Sequence, residues 1–245
     1  MKLKFMTYNI AAGRVYLDYA KTKVNPVDVT MCGAIIKEQN PDVCGLNEVD
    51  YLTERSGGVD ETKTLSEMLD MEGIFGKAID LPGGEYGNAL LSKHKILEKE
   101  VIEIPEVKDK VPGYYYERRV IIRAKLDIAG GLTVLQLHSG LSKPEMDNCI
   151  DKLCEVIDSL DTPVVVMGDF NMTPDYPALE KVRERLVDTK HLLNDGKFMT
   201  FGTYEGVKKL HIDYIFVSKD IKPLSLTVPD TAVSDHYPLV LECEI

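Results

Sequence analysis

Residues 164–171 read VVVMGDFN, an apolar run that ends in a glycine and is followed at once by an acidic residue. The apolar part, Val164–Met167, is typical of a buried strand, because short runs of β-branched and apolar residues bounded by a turn favour that environment. Asp169 and Asn171 then stand on a tight turn directly after the strand. A purely structural turn, in which these side chains bond only to nearby backbone, explains the pattern equally well.

Seven further apolar or alternating runs predict strands. They are Leu3–Tyr8, Val43–Leu46, Asn88–Leu91, Val120–Leu126, Leu132–Leu137, Ile212–Val217 and Leu239–Cys243. Apolar residues at three-to-four spacing predict helices at Val27–Lys37, Glu145–Leu160 and Ala178–Leu186. Several strands follow one another with only a turn between them, unlike the regular alternation of a doubly wound sheet. The predicted fold class is therefore α/β (α+β), with two packed mixed β-sheets and helices outside.

The length and composition favour one compact domain over residues 1–245, since no linker, repeat or low-complexity segment divides the chain. The five cysteines form no CxxC pair and are interpreted as reduced packing residues. The amino-terminal residues lack the apolar stretch of a signal peptide. The sequence also contains no run of about 18 apolar residues, which a membrane span would require. We therefore expect a cytoplasmic protein without a membrane span, and a monomer.

The formal charge of −11 and the sequence pI near 5.0 argue against broad electrostatic capture of nucleic acid. Nucleic-acid backbones are bound mainly by lysine and arginine, and the sequence has no run of these residues. Bound cations can invert the local field, however, so nucleic acid stays open as a substrate.

Polar residues cluster at the ends of the predicted strands. Four stand within two positions after an apolar run: Asn9, Glu48, His138 and Asp169. Two more stand just before the last strand: Asp235 and His236. If that last strand runs antiparallel to the others, all six side chains meet at one edge of the sheets, where ligand sites commonly form.

The carboxylates at this edge need a positive partner. Three of them together would repel by roughly 4 kcal/mol per pair at about 4 Å and an effective dielectric near 20. Oxygen ligands without thiolates suit Mg²⁺ or Mn²⁺ better than zinc. Read singly, each residue has an ordinary explanation: Asn9 as a turn former, Glu48 as an exposed strand end, and His138 as a hydrogen-bonded core histidine. Their conjunction, in this order, favours a metal-dependent site.

The set of motifs resembles the endonuclease/exonuclease/phosphatase superfamily from residue 4 to the carboxyl end. It consists of TYNI (7–10), NPDVCGLNEV (40–49), YGNALLS (86–92), LHS (137–139), GDFN (168–171), IDYIF (212–216) and SDHYP (234–238). The resemblance implies the family's four-layer α/β sandwich and the hydrolysis of phosphoester bonds. One departure is Asn47, where family members usually carry glutamine, which puts local orientation beside Glu48 in doubt.

The resemblance also implies roles. Glu48 would be the principal metal ligand, supported by Asn9 and, in some metal arrangements, by Asp235. Asp169 would orient or deprotonate the attacking water, and Asn171 would hold that water or a phosphate oxygen. His236, held in its tautomer by Asp213, would act as base or as a donor to developing charge, and His138 would be the partner donor and candidate acid.

Substrate-binding residues are less well determined by the sequence. The resemblance suggests Asn88 and the pair Arg118 and Arg119, because an arginine fork suits phosphate. A solvated strand end explains the arginines equally well, and only one of them can enter a cleft if they lie on a strand. The run Tyr114, Tyr115 and Tyr116 is either a mobile substrate loop or an aromatic cover on the sheet.

For the substrate, we expect a small or lipid-derived phosphodiester, because the protein is acidic, lacks tryptophan and has no basic run. Residues 55–61 and 83–88 resemble family members of which some have been compared with sphingomyelinases. A DNA endonuclease, including one acting at abasic sites, is the alternative enzyme, and a basic face with inserting apolar loop residues would favour it. A catalytically silent binding protein of the same fold is the alternative outside enzymes.

Overall fold

The computed structural model describes residues 1–17, 19–113, 115–192, 199–202, 209–230 and 233–245. The strands are β1 (Lys2–Asn9), β2 (Val43–Tyr51), β3 (Glu72–Leu81), β4 (Gly84–Ser92), β5 (Ile96–Glu103), β6 (Val120–Leu126), β7 (Leu132–His138), β8 (Val164–Asp169), β9 (Val187–Asp188), β10 (Phe201–Gly202), β11 (Lys209–Leu210), β12 (Asp213–Val217), β13 (Lys222–Thr227) and β14 (Leu239–Glu244). The helices are α1 (Tyr19–Thr22), α2 (Val29–Gln39), α3 (Glu61–Leu69), α4 (Lys143–Asp158) and α5 (Leu179–Arg183).

Two six-stranded mixed sheets form the centre of the fold. The first has the order β13-β14-β1-β2-β4-β3, and the second has the order β5-β6-β7-β8-β12-β9. One central pair in each sheet is parallel, β1 with β2 and β7 with β8, while their other neighbours are antiparallel. The last strand, β14, runs antiparallel to β1, as the sequence argument required.

Alternating side chains of the central strands divide the apolar residues into three layers. Phe5 and Met167 belong to a cluster that lies between the two sheets. Met6 packs on the opposite face of β1 with residues of α2 and α3. Val166 packs on the outer face of the second sheet with residues of α4 and α5. Helices therefore cover both outer sheet faces, which confirms the four-layer α/β sandwich.

The helices are defined by local signals as well as by packing. Helix α4 begins with a capping box, in which the Ser142 and Glu145 side chains each bond to the other's backbone. Its buried face includes Cys149 and Leu153. Helix α2 begins at the capping side chain of Asp28 and ends at Asn40, whose backbone is left-handed.

Strands at the sheet edges were absent from the sequence predictions. Strands β3, β5 and β13 all lie at an outer position of a sheet. An edge strand contacts one neighbour and much solvent, so it carries charged residues in place of an apolar run. Strand β5, ILEKEVIE, shows this pattern, with most of its residues exposed.

The five cysteines are all free and buried, as predicted. Within the described ranges, none of the helices has both the length and the apolar character that a bilayer span requires.

Candidate active site

The predicted polar residues meet at one edge of the sandwich because the central strands end there. Asn9, His138 and Asp169 are the last residues of β1, β7 and β8. His138 lies opposite Asp169 in the parallel pair of β7 and β8. Asp213 begins β12 and lies opposite Asp169 on the other side, because β12 is antiparallel to β8. Strand ends from both sheets thus contribute to one site.

Glu48 reaches the site through an irregularity within β2. The pairing of β2 with β4 shifts register between Leu46 and Val49, and Glu48 has a φ of +54°. A left-handed backbone costs a non-glycine residue roughly 1–2 kcal/mol, so surrounding contacts must maintain it. The Asn9 amide is one such contact, since its Nδ2 donates to Glu48 Oε1 at 3.1 Å.

The same Asn9 amide joins Glu48 to Asp169. Asn9 Nδ2 also donates to Asp169 Oδ2 at 3.1 Å, and the backbone N–H of Ala11 donates to Asn9 Oδ1 at 3.0 Å. One neutral amide therefore lies between two carboxylates. This arrangement leaves net negative charge at the site.

Asp169 is the centre of the site. His138 Nε2 and His236 Nε2 each lie 3.6 Å from Asp169 Oδ2, and the backbone N–H of Asn171 donates to Asp169 Oδ1 at 2.9 Å. Burial, followed by the nearby carboxylate of Asp213, raises the pKa of Asp169 to about 7. A carboxylate in this state can exchange a proton near neutral pH.

His236 is paired with Asp213 across the two sheets. Its Nδ1 lies 2.9 Å from Asp213 Oδ2, so the imidazole carries a proton at Nδ1 and presents Nε2 to Asp169. Burial alone would lower the pKa of His236, but the carboxylates of Asp213 and Asp169 outweigh burial and raise the pKa to about 10. The ring of Phe201 packs against the imidazole, with 4.9 Å between ring centroids.

His138 is in a different electrostatic environment. Its Nδ1 lies 2.9 Å from Arg119 Nη1, and Arg119 Nη2 lies 3.4 Å from Glu117 Oε2. Burial, the Arg119 charge and His236 together hold the pKa of His138 well below its ordinary value. Two buried imidazoles therefore lie beside the same Asp169 carboxylate, and the charged form is favoured for His236 and the neutral form for His138.

Comparison with known proteins agrees with this geometry. A family model described as the Endonuclease/Exonuclease/phosphatase family matches residues 6–236. This chain belongs to that family. Members of the family are phosphoester hydrolases and are generally dependent on divalent metals. No curated protein sequence matches the chain.

Several solved structures share the fold at low identity. A Beutenbergia cavernae endonuclease/exonuclease/phosphatase has a TM-score of 0.79 at 24% identity, with coverage of 100% of this chain and 72% of that chain. A mannosyl-6-phosphatase of Bacteroides thetaiotaomicron has a TM-score of 0.75 at 18% identity, covering 99% and 100%. The human Nocturnin catalytic domain with a bound sulfate anion has a TM-score of 0.71 at 19% identity, covering 99% and 94%.

In this member of the family, Asn47 has a role that sequence reasoning missed. Its Oδ1 accepts from Gln136 Nε2 and from the backbone N–H of Asp169, both at 3.0 Å. Its Nδ2 donates to the Leu137 carbonyl at 2.7 Å and to Asn88 Oδ1 at 3.0 Å. Asn47 therefore links β2 of the first sheet to β7 and β8 of the second, directly beneath Asp169. The sequence marked Asn47 only as a neighbour of Glu48 that replaces the glutamine usual in the family.

The three predicted substrate-binding residues have different positions. Arg119 lies in the wall of the cleft. Arg118 faces outward, with guanidinium nitrogens 3.8 Å from Glu103 Oε1 and 3.6 Å from Glu106 Oε1. Asn88 is buried behind the wall, where its Nδ2 donates to the Val120 carbonyl at 3.2 Å.

The site opens into a cleft of about 530 Å³. Glu48 and Asp235 line it together with Asp169 and both histidines, and Asn171 lies at its edge with Nδ2 bonded to the Ser139 carbonyl at 3.0 Å. Tyr115 and Leu141 form exposed apolar parts of its mouth, at 67% and 62% relative exposure. The Tyr116 hydroxyl accepts a bond from the Val111 N–H at 3.0 Å, and Tyr114 lies outside the described residues.

Two groups of side chains have the chemistry of cation ligands. Asp169, Asp213 and His236 have ligand-type atoms within 4.8 Å of one another. These three are already bonded or paired among themselves, however, whereas Glu48 and Asp235 face the open cleft. Burial, together with the carboxylates of Asp235 and then Glu48, raises the pKa of the half-buried Tyr16 hydroxyl to about 12. Tyr16 was not among the predicted residues, and burial is the main cause of its raised pKa, with the two carboxylates adding to it.

Proposed function

We propose that this chain is a divalent-metal-dependent hydrolase of phosphoester bonds that acts on a small or lipid-derived phosphodiester. One observation carries the proposal: two imidazole Nε2 atoms lie 3.6 Å from the same buried carboxylate of Asp169, at the floor of an open cleft. Positioned proton donors and a carboxylate for the attacking water are what in-line displacement at phosphorus requires of a protein.

The donor set suits a hard divalent cation. Glu48, Asn9 and Asp235 would hold Mg²⁺ or Mn²⁺, since they offer carboxylate and amide oxygens at a point of excess negative charge. Such a cation, when bound, neutralises charge that develops on the phosphoryl oxygens. All five cysteines are free and buried, and none of them lines the cleft.

The protein's own groups then divide the remaining tasks. Asp169, whose pKa is raised to about 7, is suited to orient the attacking water and accept its proton. The Asn171 side chain donates to the Ser139 carbonyl and would contact that water or a phosphate oxygen. His236, kept charged by Asp213, donates a hydrogen bond to developing negative charge and is the candidate acid.

The cleft favours a diester over a dianionic monoester. Among the described residues that line it, Arg119 is the single lysine or arginine, and its guanidinium is buried and paired with Glu117. A monoester dianion would meet the carboxylates of Glu48, Glu117 and Asp235, while the charged groups of Arg119 and His236 already pair with Glu117 and Asp213. A diester carries one negative charge less. The exposed apolar groups at the mouth suit a small organic or lipid-derived substituent.

A panel of phosphoesters assayed with Mg²⁺, with Mn²⁺ and with EDTA tests this proposal. The panel contains bis-p-nitrophenyl phosphate, phospholipid headgroup diesters, mannose 6-phosphate, duplex DNA and abasic DNA. We expect metal-dependent turnover that is highest on the small or lipid-derived diesters. Preferential cleavage of either DNA would overturn the substrate class in favour of an endonuclease, and no hydrolysis of any ester would identify a silent binding protein.

Two active-site substitutions test the assigned roles. We expect Asp169→Ala and His236→Ala each to lower kcat by about 10² or more, as loss of proton-transfer or charge-stabilising groups usually does. Asp158→Asn is the matched control, because Asp158 forms an exposed pair with Arg185 outside the cleft. Near-normal turnover in both active-site variants would contradict the roles.

A further inference from the structure

The two active-site histidines face chemically opposite partners at Nδ1. Asp213 Oδ2 lies 2.9 Å from His236 Nδ1, and Arg119 Nη1 lies 2.9 Å from His138 Nδ1. A carboxylate accepts hydrogen bonds, so it requires a proton on the nitrogen that it faces. A guanidinium has five donors and no acceptor, and it stays protonated in proteins, so it requires a lone pair on the nitrogen that it faces.

We propose that Arg119 is a positioning residue that fixes His138 as the neutral tautomer with its proton on Nε2. Arg119 is 8% exposed and His138 is 5% exposed, so water competes little for this contact. A proton on Nδ1 would leave two donors facing each other at 2.9 Å in a buried place. The neutral form with Nε2–H leaves a lone pair on Nδ1, which accepts the hydrogen bond from the guanidinium at the observed 2.9 Å.

Glu117 fixes the orientation of the guanidinium. Arg119 Nη2 lies 3.4 Å from Glu117 Oε2, while Nη1 of the same planar group contacts His138. The backbone N–H of Glu117 in turn donates to Glu145 Oε1 at 3.3 Å, on helix α4. The two ends of the arginine fork therefore connect Glu117, in the segment that precedes β6, with the His138 imidazole at the end of β7.

The tautomer assigns His138 a definite chemical task, which rests on the proposed function. Its Nε2–H points toward Asp169 Oδ2, 3.6 Å away, and toward the cleft. There it supplies a neutral hydrogen bond to a phosphate oxygen or to the attacking water. It has no imidazolium proton to give to a leaving group, so the role of acid that the sequence suggested for His138 falls to another residue. Arg119 acts through His138 rather than by gripping phosphate.

The tautomer is measurable without substrate. We would label the histidines with ¹⁵N, saturate the protein with Mg²⁺ at pH 7, and record long-range ¹H–¹⁵N correlations, assigning the His138 ring with His138→Gln. We expect one protonated nitrogen, Nε2, and one unprotonated nitrogen, Nδ1. A proton on Nδ1, or on both nitrogens, would overturn the proposal on the wild-type spectrum alone.

Variants test whether Arg119 is the cause. Arg119→Met removes the donor, and we expect the His138 signals to move toward a mixture of tautomers. Arg119→Gln keeps a donor amide without the charge, so it should restore much of the wild-type pattern. Arg123→Gln is the control, because Arg123 lies on β6, which begins directly after Arg119, but pairs with Glu100 at the surface, 2.8 Å away. An unchanged His138 spectrum in Arg119→Met would refute the role of Arg119.

Activity separates this proposal from the proposed function. We expect Arg119→Met to lower kcat about tenfold or more with a smaller change in KM, and Arg119→Gln to recover part of the loss. Absence of all phosphoester hydrolysis by the wild type would refute the proposed function and leave the tautomer standing. A wrong tautomer in an active enzyme would refute the present inference alone.

Discussion

Replacing Asn47 with alanine should strongly destabilise the protein, although this residue contacts neither solvent nor the cleft. Asn47 is 0% exposed, and its amide makes four hydrogen bonds with distances of 2.7–3.0 Å. These bonds use both hydrogens of the amide nitrogen and both lone pairs of the oxygen. Three of the four partners belong to the second sheet, so the side chain joins the two sheets beneath the active site.

The expected loss follows from what Asn47→Ala leaves behind. An internal hydrogen bond contributes about 1 kcal/mol net, and a buried polar group left without a partner costs roughly 1–3 kcal/mol. Four lost bonds, with some repair by entering water, correspond to about 3–5 kcal/mol. Typical proteins have about 5–15 kcal/mol in total, so the variant should stay folded but with a large loss of stability.

Urea unfolding at pH 7, followed by circular dichroism, measures this loss as a lower midpoint at an unchanged slope. Asn88→Ala is the matched comparison, because Asn88 makes two of the same kind of bond, with Asn47 and with the Val120 carbonyl. We expect it to lose about half as much. A loss below about 1.5 kcal/mol for Asn47→Ala would show that this network is not what holds the sheets together here. Turnover should fall as well, because Asn47 orients the backbone of Asp169.

Three further predictions follow from the backbone, from a buried acid and from the proposed cation site. Gly168→Ala should cost about 3 kcal/mol or more in the free energy of unfolding, because Gly168 has a φ of +147° and an added Cβ would meet a main-chain oxygen at 1.9 Å. Gly130→Ala, at a φ of +88° in open space, should cost only about 1–2 kcal/mol in the same urea assay, and equal losses would contradict the steric argument. Burial raises the pKa of the fully buried Glu61 to about 8, so the folded state binds the extra proton and stability falls as pH rises from about 4 to about 8. The free energy of unfolding of the wild type should fall by on the order of 4 kcal/mol between pH 5 and pH 9, and Glu61→Gln should remove this fall. Parallel pH profiles of the two proteins would contradict the role of Glu61. Finally, millimolar Mn²⁺ should raise the Tm of the wild type but not that of Glu48→Gln, and an equal rise in both would place the cation elsewhere.

The sequence was sufficient to predict the strands that are buried on both faces. All eight predicted strands lie in the two sheets, since an apolar run records burial directly. Edge strands such as β5 escaped because their residues face solvent. The predicted helix at Ala178–Leu186 is regular only over Leu179–Arg183, because the residues that follow turn into the short strand β9. The convergence of the polar residues was predictable, because parallel strands end at the same edge.

Partners that depend on three-dimensional packing could not be read from the sequence. Asn47 looked like a lesser neighbour of Glu48, but its four bonds cross between the sheets. Arg119 was one of two candidate phosphate ligands in the sequence, which gave no sign that its guanidinium contacts His138 and Glu117. In both cases the residue type was informative, but the sequence could not identify the partners, because the partners of Asn47 and the His138 partner of Arg119 lie on other strands.

The active site is divided between the two sheets, so its geometry depends on how the sheets pack against each other. The first sheet and its loops supply Asn9, Glu48, Asp235 and His236, and the second supplies His138, Asp169, Asn171 and Asp213. Hydrogen bonds join the two sets, from Asn9 to Asp169 at 3.1 Å and between His236 and Asp213 at 2.9 Å. Neither sheet alone contains both the proposed cation ligands and Asp169. A change that shifts one sheet against the other by about 1 Å would therefore misplace the reacting groups even if each sheet stayed intact, and such misplacement can cost about 10² in rate. The apolar layer around Phe5 and Met167 thus does more than stabilise the fold, since it sets the distance on which the two halves of the site depend.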